Sequence, residues 1–277
     1  MTGEVLVPHD VQTTLNFYKP INDELPYNYV EEPPVGVLRT NIGQDVQQVV
    51  VHDIRGKEDT VGLDKTGFQF VTHKSVEKDF VDEEAIQTKY YAEVEDILKK
   101  HTGAKRVVIF DHTLRRNPVD GVIRANDARG PVERVHVDQT YAAAIGRVYR
   151  HLGDDAERLL KGRVRIINVW RPIANPVAHK PLAVANYRTL GREDLVSTRH
   201  IYPNSEGSTF SVRYNPTQRW YFLANQTPDE VTLIKCYDSD EDKARLTPHS
   251  AFLDVTSPKD APNRQSIEVR ALVFENE

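Results

Sequence analysis

Residues 163–170 read RVRIINVW, a run of isoleucine, valine and tryptophan interrupted only by arginine and asparagine. A short segment rich in β-branched and aromatic residues favours a β-strand. Further segments share this composition and are separated by Pro, Gly, Asn and Asp: 105–111, 182–187, 195–202, 208–214, 219–223, 231–237 and 266–274. So many short strands in this part of the chain predict a β-sandwich or barrel.

Two helical stretches accompany the strands. Apolar residues between Asp82 and His101 recur at spacings of three and four, with Asp82 as an N-cap and Gly103 just beyond the end. A second helical stretch is predicted over residues 140–152, with a continuation through 156–160. Because the helices cluster before and within the strand series and do not alternate with it, a doubly wound parallel sheet is the weaker interpretation.

The first 45 residues form a proline-rich segment that favours extended conformations over helix. We expect an ordered N-terminal arm packed on the core, because its aromatic side chains would be costly to leave in water. These are Phe17, Tyr18, Tyr27 and Tyr29. No repeat or shift in composition marks a boundary, so we expect a single domain over residues 1–277.

The composition argues against several classes of protein. The 277 residues include 36 Lys and Arg and 41 Asp and Glu, a formal net charge of −5. Without a basic cluster, nucleic acid is not expected as a partner. No apolar run approaches the roughly 20 residues of a membrane helix, and no signal peptide is visible, so a cytoplasmic protein without membrane contact is expected. The composition is compatible with a homodimer. The single cysteine, Cys236, excludes a disulfide scaffold and a thiolate zinc cage.

One histidine stands out among the ten. His136 alone is followed two places later by a carboxylate, Asp138, and side chains at i and i+2 of a strand point to the same side. With 41 acidic residues in the chain, such a pair is also expected by chance. A non-haem Fe(II) site of the facial-triad type needs two imidazoles and one carboxylate. His249, at the edge of a predicted strand, supplies a second imidazole.

The last predicted strand brings candidate ligands for an anion. Arg264 and Ser266 lie two residues apart at its start, so both can face one side and bind the far carboxylate of a dicarboxylate. Arg270 shares that face if the alternation holds, and it competes for the same role. We favour Arg264. The alternative for Arg270 is a pairing with a core carboxylate or a place in the substrate pocket.

Several motifs in order carry a resemblance to a known family. The family contains the fungal gibberellin desaturase, aspergillic-acid-type hydroxylases and the cephamycin protein once called a methyltransferase. The resemblance covers residues 105–275, and its specificity comes from the order of the motifs. They are INVWRP at 167–172, PLA at 181–183, WY at 220–221, YDS at 237–239, PHSAF at 248–252 and RQSIEVRA at 264–271.

The resemblance implies both fold and chemistry. It implies a mainly β (α+β) chain folded as a double-stranded β-helix, or jelly roll, with supporting helices. The implied activity is an Fe(II)- and 2-oxoglutarate-dependent dioxygenase, with O2 as cosubstrate. Such an enzyme hydroxylates, desaturates or cyclises a small-molecule substrate in secondary metabolism.

The resemblance also implies roles for individual residues. It makes His136, Asp138 and His249 the iron ligands, and Arg264 with Ser266 the 2-oxoglutarate anchor. Asn186 departs from the pattern, which leads us to expect an Asp near that position.

Other residues have both a functional and a structural interpretation. Trp170 and Arg171 can line the cosubstrate or substrate pocket, although a tryptophan at a strand end is often a core residue. The acidic residues at 238–242 lack the spacing and glycine of a calcium loop, so we expect a solvated turn. Three arginines upstream of His136 can meet an anionic substrate or lie on the surface. They are Arg115, Arg116 and Arg124.

Two alternative functions remain open from the sequence. A metal-dependent jelly-roll isomerase or lyase would use the same ligands without 2-oxoglutarate. A non-catalytic binding module would use His136 and Asp138 only structurally.

Overall fold

The computed structural model describes residues 9–116 and 130–277, so Arg124 lies outside the described residues. The strands are β1 (Val11–Pro20), β2 (Tyr27–Tyr29), β3 (Ile42–Asp53), β4 (Phe68–Thr72), β5 (Arg106–Arg115), β6 (His136–Val137), β7 (Val164–Pro172), β8 (Leu182–Ala185), β9 (Leu195–Tyr202), β10 (Ser205–Val212), β11 (Trp220–Phe222), β12 (Glu230–Asp238), β13 (His249–Ala251) and β14 (Ser266–Phe274). The helices are α1 (Glu83–Ala85), α2 (Tyr91–Thr102), α3 (Tyr141–Leu152) and α4 (Ala156–Leu159).

The strands form two facing sheets. One has the order β1-β3-β11-β8-β13-β6-β10-β9-β2, and the other has the order β4-β12-β7-β14-β5. Most neighbours are antiparallel, while the β3–β11 and β2–β9 pairs are parallel. This arrangement of two curled sheets with few helices confirms the predicted jelly roll.

The position of β7 in the fold explains its apolar sequence. It is central in the five-stranded sheet, and all nine of its residues are buried. Ile166 and Trp170 belong to the core between the two sheets, whereas Ile167 and Val169 pack on the opposite face against the helical segment. A strand covered on both faces carries apolar residues on both faces.

The helical segment behind the five-stranded sheet begins and ends as predicted. The Asp82 side chain accepts a hydrogen bond of 3.0 Å from the backbone N–H of Glu84, which caps α1. A π-helical turn, Ile86–Tyr90, joins α1 to α2. Gly103 ends α2 with φ of +70°, a left-handed conformation that glycine adopts without steric cost.

The N-terminal segment contributes strands to the nine-stranded sheet. β1 pairs antiparallel with β3 along its full length, and Phe17 on β1 is completely buried. The strands β3 and β4 were not predicted. Only residues at the ends of β3 are buried, and the side chains between them alternate between half-buried and exposed.

Asp238 corrects the prediction of a solvated acidic turn. Its side chain is completely buried and accepts hydrogen bonds from Arg163 and from Lys235, which is itself completely buried. Lys235 also donates to Asp64 at 2.8 Å. The prediction was wrong for Asp238 because the residue ends β12, where these partners compensate its charge.

Candidate metal centre and substrate cavity

The three predicted iron ligands meet between adjacent strands of the nine-stranded sheet. His136 on β6 is the register partner of His249 on β13, and Asp138 follows β6 directly. The two imidazole rings lie 4.4 Å apart between centroids. One ligand atom from each of the three side chains lies within 4.8 Å of the others. The structure therefore brings together all three side chains.

Each imidazole is oriented by a backbone carbonyl. Nδ1 of His136 donates to the Arg134 carbonyl at 2.7 Å, and Nδ1 of His249 donates to the Thr247 carbonyl at 3.0 Å. These bonds place the ring proton on Nδ1, so the lone pair of each Nε2 is free for a metal. The two Nε2 atoms lie 3.3 and 3.7 Å from Oδ1 of Asp138.

The second oxygen of Asp138 is occupied by two donors. Asn168 Nδ2 donates to Oδ2 at 2.8 Å, and Arg270 Nε donates to the same oxygen at 3.1 Å. Burial alone would raise the pKa of Asp138. The charge of Arg270 counteracts burial and helps to hold the pKa well below its usual range. Asp138 therefore presents an ionised Oδ1 to the two imidazoles.

The donor set fits a divalent iron ion. Burial lowers the pKa of His249, and the nearby His136 lowers it further, so this imidazole is held neutral. At His136, burial is outweighed by Asp138, which raises the pKa. Two imidazole nitrogens and one carboxylate oxygen are the donor set of non-haem Fe(II) sites of the facial-triad type.

A cavity of about 660 Å³ opens beside Asp138. One wall is the face of α3 that carries Ala142, Gly146 and Arg147, and the opposite wall is the β9–β10 hairpin. Such a volume is in the range of small-molecule sites.

Arg264 is buried without a counter-ion. It is 9% exposed, donates to the Lys180 carbonyl at 2.7 Å and lies 5.5 Å from the centroid of the Trp170 ring. Its Nε has no hydrogen-bond partner, and no carboxylate of the described residues forms an ion pair with it. Burial lowers the pKa of Arg264 to about 9. Ser266, which is also buried, is the first residue of β14 and lies two residues after Arg264.

Arg270, in contrast, is fully paired. Besides Asp138, it contacts Asp111 at 2.9 Å, Glu268 and the hydroxyl of Thr113. Its guanidinium therefore lies against the candidate metal-ligand carboxylate and is surrounded by acidic groups.

Trp170 and Arg171 lie on opposite faces of β7. Trp170 is a core residue between the sheets and lies beneath Arg264. Arg171 contacts Nδ1 of His73 at 2.8 Å and lies 5.3 Å from the centroid of the Tyr90 ring, on the helical side of the sheet. Alternation along the strand therefore places Arg171 away from the triad.

The remaining predicted positions have local roles in the structure. Arg115 donates to the Gly130 carbonyl, and Arg116 donates to the Asp79 and Phe80 carbonyls. The side chain of Asn186 accepts from the backbone N–H of Arg188 and caps a short 3₁₀ turn.

Sequence reasoning assigned no role to Asn168 or to Arg147. For Asn168 a signal existed, because it is the only uncharged polar residue in a strand that is otherwise apolar or basic. A buried amide there needs a partner, and Asp138 supplies it. Arg147 on an amphipathic helix gave no such signal.

Comparison with known proteins identifies the family. A family described as "Oxidoreductase/YMDC permease-like domain" matches residues 15–274. The hydroxylase/desaturase efuI of Hormonema carpetanum is 38% identical, over 99% of this chain and 98% of its own length. The Fe(II)/2-oxoglutarate-dependent dioxygenase nvfI of Aspergillus novofumigatus is 36% identical over 91% of each chain. The chain belongs to the fungal Fe(II)/2-oxoglutarate-dependent dioxygenase family.

A solved structure supports the same conclusion. The iron and alpha-ketoglutarate-dependent endoperoxidase NvfI superimposes on this dioxygenase with a TM-score of 0.86 at 35% identity, over 97% of this chain and 99% of that chain. The predicted fold, enzyme class and cofactors are confirmed. This dioxygenase acts on a small-molecule substrate in secondary metabolism. No helix within residues 9–116 and 130–277 is long and apolar enough to span a bilayer.

Proposed function

We propose that this dioxygenase oxidises a C–H position of a small-molecule substrate bound in the cavity beside Asp138. Hydroxylation, desaturation and cyclisation are the outcomes that this chemistry allows. The observation that carries the proposal is the direct opening of a cavity of about 660 Å³ onto the candidate metal ligand. The names of the relatives, hydroxylase/desaturase and endoperoxidase, support an oxidation of this kind.

The iron ligands in this proposal are Nε2 of His136, Oδ1 of Asp138 and Nε2 of His249. When iron, 2-oxoglutarate and dioxygen are bound, the centre supplies the oxidative decarboxylation of 2-oxoglutarate to succinate, coupled to oxidation of the substrate. The protein holds the ligands through backbone carbonyls and through Asn168 and Arg270. This support fixes which atom each side chain offers to the metal.

The 2-oxoglutarate anchor is Arg264, with Ser266 as an additional donor. A buried guanidinium without a counter-ion favours an anionic ligand, because the anion restores the interactions that burial removes. Arg270 fits this role less well. It already contacts the metal-ligand carboxylate, whereas the distal carboxylate of a chelated 2-oxoglutarate is held away from the metal by its carbon chain.

The remaining expectations from the sequence belong to the same proposal. The chain functions as one domain over residues 1–277, in the cytoplasm, without nucleic acid or membrane as partner. The net charge of −5 supports the absence of nucleic acid. A homodimer is compatible with the proposal.

The experiment measures succinate formed from 2-oxoglutarate by the purified protein with Fe(II) and oxygen. A panel of terpenoid, alkaloid, peptide and amino-acid compounds is included, and each mixture is analysed by mass spectrometry. We expect succinate that depends on both iron and oxygen and increases with a true substrate, with the substrate altered by a mass of +16 or −2. Absence of succinate from iron-loaded protein across the panel would overturn the proposal.

A further inference from the structure

We propose that the cavity recognises an organic anion, a carboxylate or an ionised phenol on the substrate, through Arg147. This inference rests on the proposed function, because it assumes that the cavity beside Asp138 holds the substrate. It names the chemical class that the cavity selects.

The helix α3 presents Arg147 to the cavity. The neighbouring cavity-facing residues Ala142, Ala143 and Gly146 are small, so the arginine side chain dominates this wall. Arg147 is half-buried, and its guanidinium carbon lies 5.2 Å from the centroid of the Phe110 ring. Packing against an aromatic ring restricts the side chain and leaves its N–H donors available.

Within the described residues, Arg147 has no carboxylate partner and no hydrogen bond. Arg150, one turn later, also lines the cavity and forms no ion pair with any described residue, so two positive charges lie side by side. Burial lowers the pKa of Arg147, and the charge of Arg150 lowers it further. A bound anion would offset both effects.

The carboxylates that face the cavity are already engaged. Asp111 pairs with Arg270 at 2.9 Å, and Glu206 pairs with Arg199 through two hydrogen bonds of 2.7 Å. Asp138 is the candidate metal ligand. Asp111 acts on the charge of Arg147 through space, but within the described residues none of the three carboxylates forms an ion pair with it.

The other titratable side chains that line the cavity, apart from the arginines, are a histidine and a tyrosine. Nε2 of His200 lies 2.9 Å from the hydroxyl of Thr209, and burial lowers the pKa of this imidazole, which keeps it neutral. Tyr202 is a half-exposed phenol at the cavity edge. The cavity therefore has a local excess of positive charge on the α3 wall.

The anion at Arg147 is distinct from 2-oxoglutarate. Neither Arg264 nor Ser266 lines this cavity, so the proposed cosubstrate anchor is separate from Arg147. Two separate anion sites predict that substitutions at Arg147 and at Arg264 affect different ligands.

The test uses two probes of nearly the same shape that differ by one charge, anthracene-2-carboxylate and anthracene-2-carboxamide. Binding of each probe to the anaerobic complex with Fe(II) and 2-oxoglutarate is followed by fluorescence anisotropy. Arg147→Gln removes the proposed contact. Arg192→Gln is the matched control, because Arg192 is exposed and does not line the cavity.

A cavity-filling variant locates the bound probes. Gly146 lines the cavity and a Cβ atom added there meets no atom within 4 Å, so the side chain of Gly146→Phe begins in open space. The variant retains Arg147, and replacing a helical glycine does not lower helix propensity.

We expect the carboxylate to bind the wild-type complex at least about tenfold more tightly than the amide, as for a charge-assisted contact. Arg147→Gln should abolish this preference, Arg192→Gln should retain it, and Gly146→Phe should weaken both probes. Arg147→Gln should leave 2-oxoglutarate affinity unchanged.

The proposal is overturned if the wild type shows no preference for the carboxylate, including the case that neither probe binds. It is also overturned if the preference survives in Arg147→Gln, or if that variant loses 2-oxoglutarate affinity. Failure of the proposed function is a separate result, because probe preference needs no turnover. An intact preference without any succinate would refute the oxidation and retain the anion site.

Discussion

Arg270 and Asp138 connect the two sheets of the jelly roll. Nε of Arg270, on β14 of the five-stranded sheet, donates to Oδ2 of Asp138, which follows β6 of the nine-stranded sheet, at 3.1 Å. The pairing of β14 with β5 shifts register between Arg270 and Ala271, at a β-bulge. The extra residue of the bulge, Phe110, is on β5 next to Asp111, which is itself an ion-pair partner of Arg270. Arg270 thus reaches across from the facing sheet to hold the candidate iron-ligand carboxylate.

Arg270→Gln should weaken Fe(II) binding. The variant removes the charge that holds Asp138 ionised and leaves its Oδ2 with one donor, and loss of such support typically costs about 10–100-fold in metal affinity. Anaerobic competition against a chromogenic chelator measures the change. At saturating iron, the affinity for 2-oxoglutarate should remain near the wild-type value. A large loss of 2-oxoglutarate affinity with normal iron binding would instead make Arg270 the cosubstrate anchor.

Asn168→Ala should weaken iron binding in the same assay. Asn168 is completely buried and its amide donates to Asp138 at 2.8 Å, so truncation removes one of the two donors to Oδ2. We expect a loss toward the lower end of about 10–100-fold, because Arg270 remains. The double variant with Arg270→Gln should lose more than either single variant. Unchanged iron affinity in Asn168→Ala would exclude a positioning role for the amide.

Arg264→Ala should weaken 2-oxoglutarate binding and leave iron binding largely intact. Removing one partner of a buried charge-assisted contact costs about 2–5 kcal/mol, and the lower value corresponds to roughly a 30-fold loss of affinity. Arg264→Lys should recover only part, because one ammonium does not reproduce the two-pronged contact. Ser266→Ala should have a smaller effect. Titration of the iron-loaded protein with 2-oxoglutarate measures the affinity of each of the three variants. A wild-type affinity in Arg264→Ala would contradict the assignment of Arg264 as the 2-oxoglutarate anchor.

Local patterns predicted much of this structure. The spacing of apolar residues and the cap at Asp82 located the long helical segment, and β-branched composition located the later strands. The pair His136 and Asp138 was visible because alternation along a strand is a local property. His249 required the order of several motifs along the chain.

Long-range pairing was not predictable from the same patterns. The contact between Arg270 and Asp138 depends on the relative position of two sheets, which no local periodicity determines. β3 was missed because its exposed middle contains glutamines and its partner β1 lies in the proline-rich segment. The buried ion cluster at Asp238 was missed because a charged residue next to other charged residues resembles a surface turn.

Lys235→Ala should destabilise the fold strongly. Lys235 is completely buried, and its loss leaves Asp238 without one of its two cationic partners. Removing one member of a buried ion pair typically costs about 3–5 kcal/mol of unfolding free energy. Equilibrium denaturation in urea measures it, with the exposed Lys161→Ala as a control that should change little. A loss similar to that of the control would show that Arg163 alone compensates Asp238.

The most direct test of the iron assignment is an anaerobic titration of the protein with Fe(II) and then with 2-oxoglutarate, recorded by visible absorption. We expect one Fe(II) per chain and a metal-to-ligand absorption band in the wild type. His136→Ala, Asp138→Ala and His249→Ala should each lose the band while circular dichroism shows a retained fold, because a triad lacking one ligand holds iron poorly. Asp138→Glu should also lose the band, since the longer side chain displaces the carboxylate oxygen and a functional site tolerates a displacement of only about 0.5 Å. A normal band in any of the three alanine variants would remove that residue from the metal site.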